Sequence, residues 1–96
     1  TQFRLVVTLD DRISGFGVRA DDTVTRERRT LRARYQLIST ATGETVLDAT
    51  AGSDAGIDVV SSEYATIAGE NSALENLTQK VADQIVTRLS IYARGE

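Results

Sequence analysis

The chain has 96 residues, which is enough for one small domain with a single core. It contains no cysteine and no histidine, which excludes disulfides, thiolate metal sites, thiol nucleophiles and the commonest general base. No stretch approaches the roughly 20 apolar residues of a membrane helix, and no signal peptide is recognisable. We therefore expect a soluble domain of residues 1–96, with no cofactor and no metal.

The net charge of −3 hides two halves of opposite sign. Residues 1–34 hold eight arginines against five acidic residues, whereas residues 35–96 hold three basic residues against nine acidic ones. Ten of the eleven basic residues are arginine, whose planar fork suits phosphate and carboxylate. This bias indicates either an anion-binding surface or simply a GC-rich genome.

The first predicted element is a half-buried strand over residues 3–9, because apolar and polar residues alternate there and Arg4 falls on the polar side. Residues 10–22 are rich in Asp and Gly and have no period, so we predict a long loop. Phe16 lies between two glycines in that loop. It is a candidate partner contact, or it folds back over the end of the sheet.

The second predicted strand, residues 24–38, is the most informative stretch of the chain. At the two-residue period of a strand, one side carries Leu31 and the apolar residues that follow it. The other side carries four arginines in register, which are Arg26, Arg28, Arg32 and Arg34. Alternate residues stand about 6.6 to 6.8 Å apart, so this ladder suits several phosphates at once. Alternatively, the arginines only make an exposed face soluble, paired with acids such as Asp48 and Glu44.

A turn with a glycine at Gly43 precedes a third predicted strand over residues 45–51. Small residues on its inward side indicate that a helix approaches closely. Residues 52–56 are either a loop or a continuation of this strand with a bulge.

From residue 62 to residue 92 the apolar period becomes helical, which predicts one amphipathic helix of about 30 residues. A start at Ser72 is the alternative, but the apolar face already begins at Tyr64. The predicted fold is α+β: an antiparallel sheet of about three strands packed by one long C-terminal helix, a two-layer sandwich. One helix covers only about two strands, so we expect a preceding segment or a second copy to cover the rest.

The other motifs in the sequence do not favour a nucleotide, cation or nucleic-acid site. Residues 15–20 match the dinucleotide fingerprint G-x-G-x-x-A, but no helix follows them. The paired aspartates at 10–11 and 21–22 lack the spacing of a cation loop and are typical of turns. Nucleic acid is disfavoured as a ligand, because the pI is about 4.9 and the basic face has no aromatic residue for stacking.

Several short segments, in order, resemble the LptE family of lipopolysaccharide-assembly lipoproteins, most closely its alphaproteobacterial branch. These segments are Phe3-Arg4-Leu5-Val6-Val7, Gly15-Phe16-Gly17-Val18-Arg19, Thr25-Arg26, Leu31-Arg32-Ala33-Arg34-Tyr35-Gln36-Leu37-Ile38, Thr42-Gly43-Glu44, Asp58-Val59-Val60-Ser61-Ser62-Glu63-Tyr64-Ala65 and Ala82-Asp83-Gln84-Ile85-Val86-Thr87-Arg88-Leu89. The resemblance covers nearly the whole of this sequence. The sequence departs from the family pattern in lacking the lipidated cysteine, the first strand and the first helix.

The resemblance implies a non-enzymatic lipoprotein on the periplasmic side of the outer membrane, plugging the LptD β-barrel and binding lipopolysaccharide. It places Arg19 at a basic ligand-binding position of the family, whereas the second such position falls on the uncharged Thr66. We expect the ladder at Arg26 and Arg28 to compensate. The alternatives are a purely structural plug without lipid binding and an unrelated carboxylate-based hydrolase. A homodimer of this chain is a further alternative.

Overall fold

The computed structural model describes residues 2–18, 24–59 and 62–95, without the side chains of residues 16–18 and 24–25. It contains three strands, β1 (Phe3–Val18), β2 (Val24–Ser39) and β3 (Thr45–Asp58), followed by one helix, α1 (Glu63–Ala93). The strands form one antiparallel sheet in the order β1-β2-β3. This architecture confirms the predicted α+β fold of a three-stranded sheet packed by one C-terminal helix.

The first strand is longer than predicted, and the loop expected from residue 10 onward is wrong as far as Val18. β1 pairs with β2 in unbroken register from Phe3 opposite Ser39 to Phe16 opposite Arg26. The sixteen residues of β2 offer backbone partners over this whole length, so extended pairing satisfies the backbone of the Asp- and Gly-rich segment. The glycines of the G-x-G-x-x-A match therefore lie in a strand and do not precede a helix.

The turn between β2 and β3 forms as the glycine predicts. Gly43 has φ of 76°, and its N–H donates to the carbonyl of Ser39 over 2.8 Å. β3 then runs to Asp58, so the continuation through residues 52–56 is correct and the loop alternative is wrong. The one register shift described between β2 and β3 lies at Leu37 and Ile38, near the turn.

The long helix is continuous, as predicted. Ser62 caps it in an extended conformation, and its hydroxyl accepts a hydrogen bond from the Ala65 N–H over 3.3 Å. Ser72 lies inside the helix, which excludes the shorter alternative. Within the described ranges, no helix combines the length and apolar character needed to cross a membrane.

The core lies between α1 and the two strands that it covers, β2 and β3. Its central cluster of buried side chains comprises Leu31, Ala33, Tyr35, Leu47, Ala51, Leu77 and Val81, and Ile57 and Ala73 are also buried. The small side chains of Ala33 and Ala51 stand directly opposite each other and leave room for the fully buried Leu77. Gln84 of α1 also donates to and accepts from the backbone of Gly52, at 3.0 and 3.1 Å, which ties the helix to the edge of β3.

β1 carries a row of apolar side chains that the rest of the described chain leaves partly exposed. Because directly opposite residues of antiparallel strands share a face, this row lies on the same side of the sheet as α1. Tyr92 of α1 meets its first member, Phe3, edge to face with ring centroids 6.2 Å apart. The row, which we call the β1 apolar row, comprises Phe3, Leu5, Val7, Leu9 and Ile13, each more than 40% exposed.

Candidate anion-binding face

The four ladder arginines all lie on the side of the sheet opposite α1, which we call the outer face. Their side chains are exposed, whereas the intervening residues Leu31, Ala33 and Tyr35 are buried beneath the helix. The period-two division of β2 is therefore confirmed. Opposite neighbours on β1 and β3 contribute further charged side chains to this face, including Arg12 and four aspartates, at positions 10, 48, 54 and 58.

Two of the arginines reach a carboxylate diagonally on β3. Arg34 stands opposite Thr50 but donates to both oxygens of Asp48, two residues further along, at 3.1 and 2.7 Å. Arg28 stands opposite Gly56 and pairs with Asp54 by the same offset, at 3.7 Å. A regular register thus places an arginine beside an aspartate on neighbouring strands.

Arg26 also pairs with an aspartate of β3, but with the one directly opposite it and not with one on the diagonal. The diagonal position on β3 is Gly56, which has no carboxylate, and Arg26 pairs at 3.4 Å with Asp58, directly opposite. Three of the four ladder arginines are therefore neutralised by aspartates of β3. Asp48 is a partner, as predicted, whereas no described ion pair involves Glu44.

Arg32 is the exception on the ladder. It stands opposite Gly52, and the diagonal position that carries an aspartate for Arg34 and Arg28 is Thr50 here. Asp54 lies on the other diagonal and lines the same depression as Arg32, but it pairs with Arg28. On β1 it stands opposite Asp10, but both oxygens of that carboxylate accept from the Nε of Arg12, at 3.0 and 3.2 Å. In the described part of the chain, the Arg32 guanidinium makes no ion pair and no side-chain hydrogen bond.

Two shallow depressions adjoin Arg32 on the outer face. One, of about 400 Å³, lies toward β3, where Gly52 and Thr50 leave space beside the guanidinium. The other, of about 260 Å³, lies toward β1 and is bounded by Asp10 and Arg12. Thr30 and Arg32 border both depressions, so a hydroxyl and a guanidinium without an ion pair meet at their junction, while Asp54 and Asp10, each paired with another arginine, line one depression each. This pair of donors suits an oxyanion such as a phosphate.

The electrostatics of the face follow the pairing. Hydrogen bonds from Arg34 lower the pKa of the Asp48 carboxyl, and a further bond from Gln36 acts in the same direction against partial burial. Asp48 in turn raises the pKa of Arg34, chiefly through the same hydrogen bonds. These two groups stay charged as a pair at neutral pH, so Arg34 offers an incoming anion less net charge than Arg32 does.

The remaining predicted site residues are Arg19 and Phe16. Arg19 lies outside the described residues. Phe16 belongs to β1 and stands opposite Arg26, but its side chain is not described.

Arg12 was missed by the sequence reasoning because it falls in the segment interpreted as a loop. Only the length of β2, which needs an equally long partner, signals that β1 extends that far.

The fold and the outer face define a small α+β protein with one helix-covered side and one open, charged side of its sheet. The family model of LptE, described as lipopolysaccharide-assembly, matches residues 3–89. The chain therefore belongs to the LptE family, which confirms the resemblance noted in the sequence and implies a role in lipopolysaccharide assembly.

Among solved structures, the fold is similar to a chain described as a "putative lipoprotein" from Caulobacter crescentus CB15. The TM-score is 0.75 at 21% sequence identity, over 97% of this chain and 68% of that chain. No curated protein matches the sequence. At this identity the similarity shows a shared fold, and the match to the family model carries the assignment.

Proposed function

We propose that this protein is a non-enzymatic component of lipopolysaccharide assembly that binds lipopolysaccharide and plugs the LptD β-barrel. Membership of the LptE family supports the process. The lipoprotein description of the structural neighbour supports a lipid-anchored location on the periplasmic side of the outer membrane. The predicted ligand contacts are Arg19 together with the ladder at Arg26, Arg28, Arg32 and Arg34.

Arg32 is the observation that carries the lipopolysaccharide part of this proposal. A guanidinium without a carboxylate partner binds an incoming phosphate without first giving up an ion pair. Arg26, Arg28 and Arg34 must exchange aspartate partners for the ligand, so each contributes less. We therefore rank Arg32 first among the described ladder residues and treat the other three as supporting charges.

The test measures retention of the protein on immobilised lipopolysaccharide at increasing salt concentration. Arg32→Ala should weaken binding about three- to tenfold, the effect of losing one exposed charge-assisted hydrogen-bonded contact. Arg32→Lys should restore only part of the affinity, because an ammonium does not reproduce the planar fork. Binding of the wild type should fall with salt, since exposed charges are screened.

Lys80→Ala is the matched control, because it removes one positive charge from the exposed surface of α1. It should bind like the wild type. Lipopolysaccharide stripped of its lipid A phosphates should bind the wild type and Arg32→Ala equally. If Arg32→Ala and Lys80→Ala bind phosphorylated lipopolysaccharide equally well, the Arg32 site is wrong.

A purely structural plug is the second candidate, and the three ion pairs between the ladder and β3 favour it. In that case the arginines mainly keep the outer face charged and soluble. Co-purification with the LptD barrel separates the two functions. The structural plug requires that ladder variants co-purify normally and do not differ from the wild type in retention on lipopolysaccharide, while Phe16→Asp fails to co-purify.

A further inference from the structure

A second polar cluster lies on the opposite side of the sheet, where the N-terminal turns of α1 meet β2. Glu27 and Arg29 are on the helix-covered side of β2, beyond the apolar core. Glu27 is half-buried, and its Oε1 is buried without a hydrogen bond from any described donor. A buried carboxylate oxygen without a donor is costly unless the carboxyl is protonated.

Two contacts place Glu70 of α1 over Glu27: the preceding Gly69 approaches Ile57, which stands directly opposite Glu27, and the Glu70 carbonyl accepts from Arg29. The Glu70 carboxyl accordingly acts on Glu27 and raises its pKa. The residues directly opposite Glu27 in the sheet are Gly15 and Ile57, which supply neither charge nor a side-chain donor. Two carboxylates accept hydrogen bonds but do not donate them, so contact between them requires a proton on one of the two. Glu27 then donates to Glu70 and is no longer an unsatisfied acceptor.

The nearby cation is already engaged. Arg29 donates through Nε and Nη2 to Asp11 of β1, at 3.0 and 2.6 Å, and through Nη1 to the backbone carbonyl of Glu70, at 3.0 Å. Its side chain is only 12% exposed. The charged groups that the described contacts place beside the pair are therefore Arg29 from β2 and Asp11 from β1, and β3 contributes none among its described residues.

The first two turns of α1 have little else to hold them. Tyr64 and Ile67 are 84% and 48% exposed, whereas the buried residues of the helix begin at Ala73. Gly69 of these turns approaches the buried side chain of Ile57: a Cβ added at Gly69 would lie 3.4 Å from its Cγ2. Segments with few apolar contacts open locally without global unfolding, so the polar contacts at Glu70 decide how firmly these turns dock.

We propose that Glu27 and Glu70 form a proton-dependent latch, in which one shared proton holds the first two turns of α1 against β2 and its loss to solvent releases them. The hydrogen bond to Glu70, burial and the repulsion between the two carboxyls all raise the pKa of Glu27. The folded state therefore binds this proton more tightly than the unfolded chain does. The stabilisation is complete below the ordinary glutamate pKa and disappears as the pH rises through the raised value.

The test is amide hydrogen exchange of the full chain at a series of pH values, expressed as protection factors. In the wild type, protection of residues 63–70 should fall with rising pH, by up to about tenfold per pH unit, because opening releases one proton. Protection of residues 77–89, which pack on the core, should stay constant. Glu27→Gln supplies a permanent N–H donor to Glu70 and should make protection of residues 63–70 independent of pH.

Glu70→Gln provides a second route to the same result, because its amide donates to an ionised Glu27. Glu75→Gln is the matched control, since it removes an exposed carboxylate from the same helix and should keep the wild-type profile. The latch is wrong if the wild-type profile is flat over residues 63–70. It is equally wrong if Glu27→Gln and Glu70→Gln retain the wild-type dependence on pH.

Discussion

At the scale of single residues, the charge pattern of the outer face is decided by which β3 residue falls on the diagonal of each arginine. Arg34 and Arg28 meet aspartates at that offset, and Arg32 meets Thr50. Alternation in the sequence is enough to place all four arginines on one face. It does not reveal which of them are paired, because the β2–β3 register depends on the shift at Leu37 and Ile38.

This pairing scheme predicts the titration of Asp48. Its pKa is lowered mainly by hydrogen bonds from Arg34, so Arg34→Ala should move the pKa of Asp48 upward toward its ordinary value. The pair stabilises the fold above the ordinary aspartate pKa, and this contribution is lost as the pH falls through the lowered one. A side-chain carboxyl NMR titration measures the pKa of Asp48, and denaturant unfolding at a series of pH values measures the stabilisation.

Arg32→Ala serves as the control for that titration. It removes an equal charge from the same strand but makes no hydrogen bond to Asp48, so the Asp48 titration should stay close to that of the wild type. Equal upward shifts in Arg32→Ala and Arg34→Ala would show that the general field of the face sets this pKa, and the proposed pairing would be incorrect.

At the scale of elements, the two periodic segments were predictable and the irregular one was not. The sequence of β2 has a sustained two-residue period and that of α1 a sustained helical period. Their observed bounds therefore differ little from the predicted ones. The second half of β1 has Asp10, Asp11, Gly15 and Gly17, residues that local propensity assigns to loops. Pairing with the long β2 overrides that propensity, a non-local effect that a short sequence window does not contain.

Gly69 is the position where local propensity and packing make opposing demands on α1. A glycine inside a helix costs about 1 kcal/mol relative to alanine. A Cβ added there would lie 3.4 Å from Cγ2 of Ile57, at the limit of ordinary van der Waals contact. Gly69→Ala should therefore raise the free energy of unfolding by about 0.5 to 1 kcal/mol. Denaturant titration measures the change.

A larger side chain at the same position reverses the sign. Gly69→Leu should destabilise the protein by about 1 to 3 kcal/mol, because atoms beyond Cβ push the helix away from β3. Ala82→Gly, at an exposed position of α1, calibrates the difference in helix propensity between alanine and glycine. Destabilisation by Gly69→Ala would mean that α1 cannot shift the few tenths of an ångström that the contact requires.

At the scale of the whole molecule, the fold is a narrow plate of 59 × 21 × 18 Å with one helix over two of its three strands. Its two sides differ in character: the outer face is charged, and the covered side ends in the β1 apolar row. The sequence predicted this incomplete cover from the number of elements alone.

The exposed β1 apolar row leads to a prediction about surface and stability together. Leu9 is its most exposed member, at 63%, so Leu9→Lys should change the free energy of unfolding by no more than about 0.5 kcal/mol. It should nevertheless reduce the fluorescence of a hydrophobic dye such as ANS bound to the folded protein, because it interrupts a contiguous apolar patch. Val86→Lys, at an isolated position on α1 that is 61% exposed, should leave dye binding unchanged. Equal dye binding by wild type and Leu9→Lys, with both proteins folded, would show that the row is covered in solution.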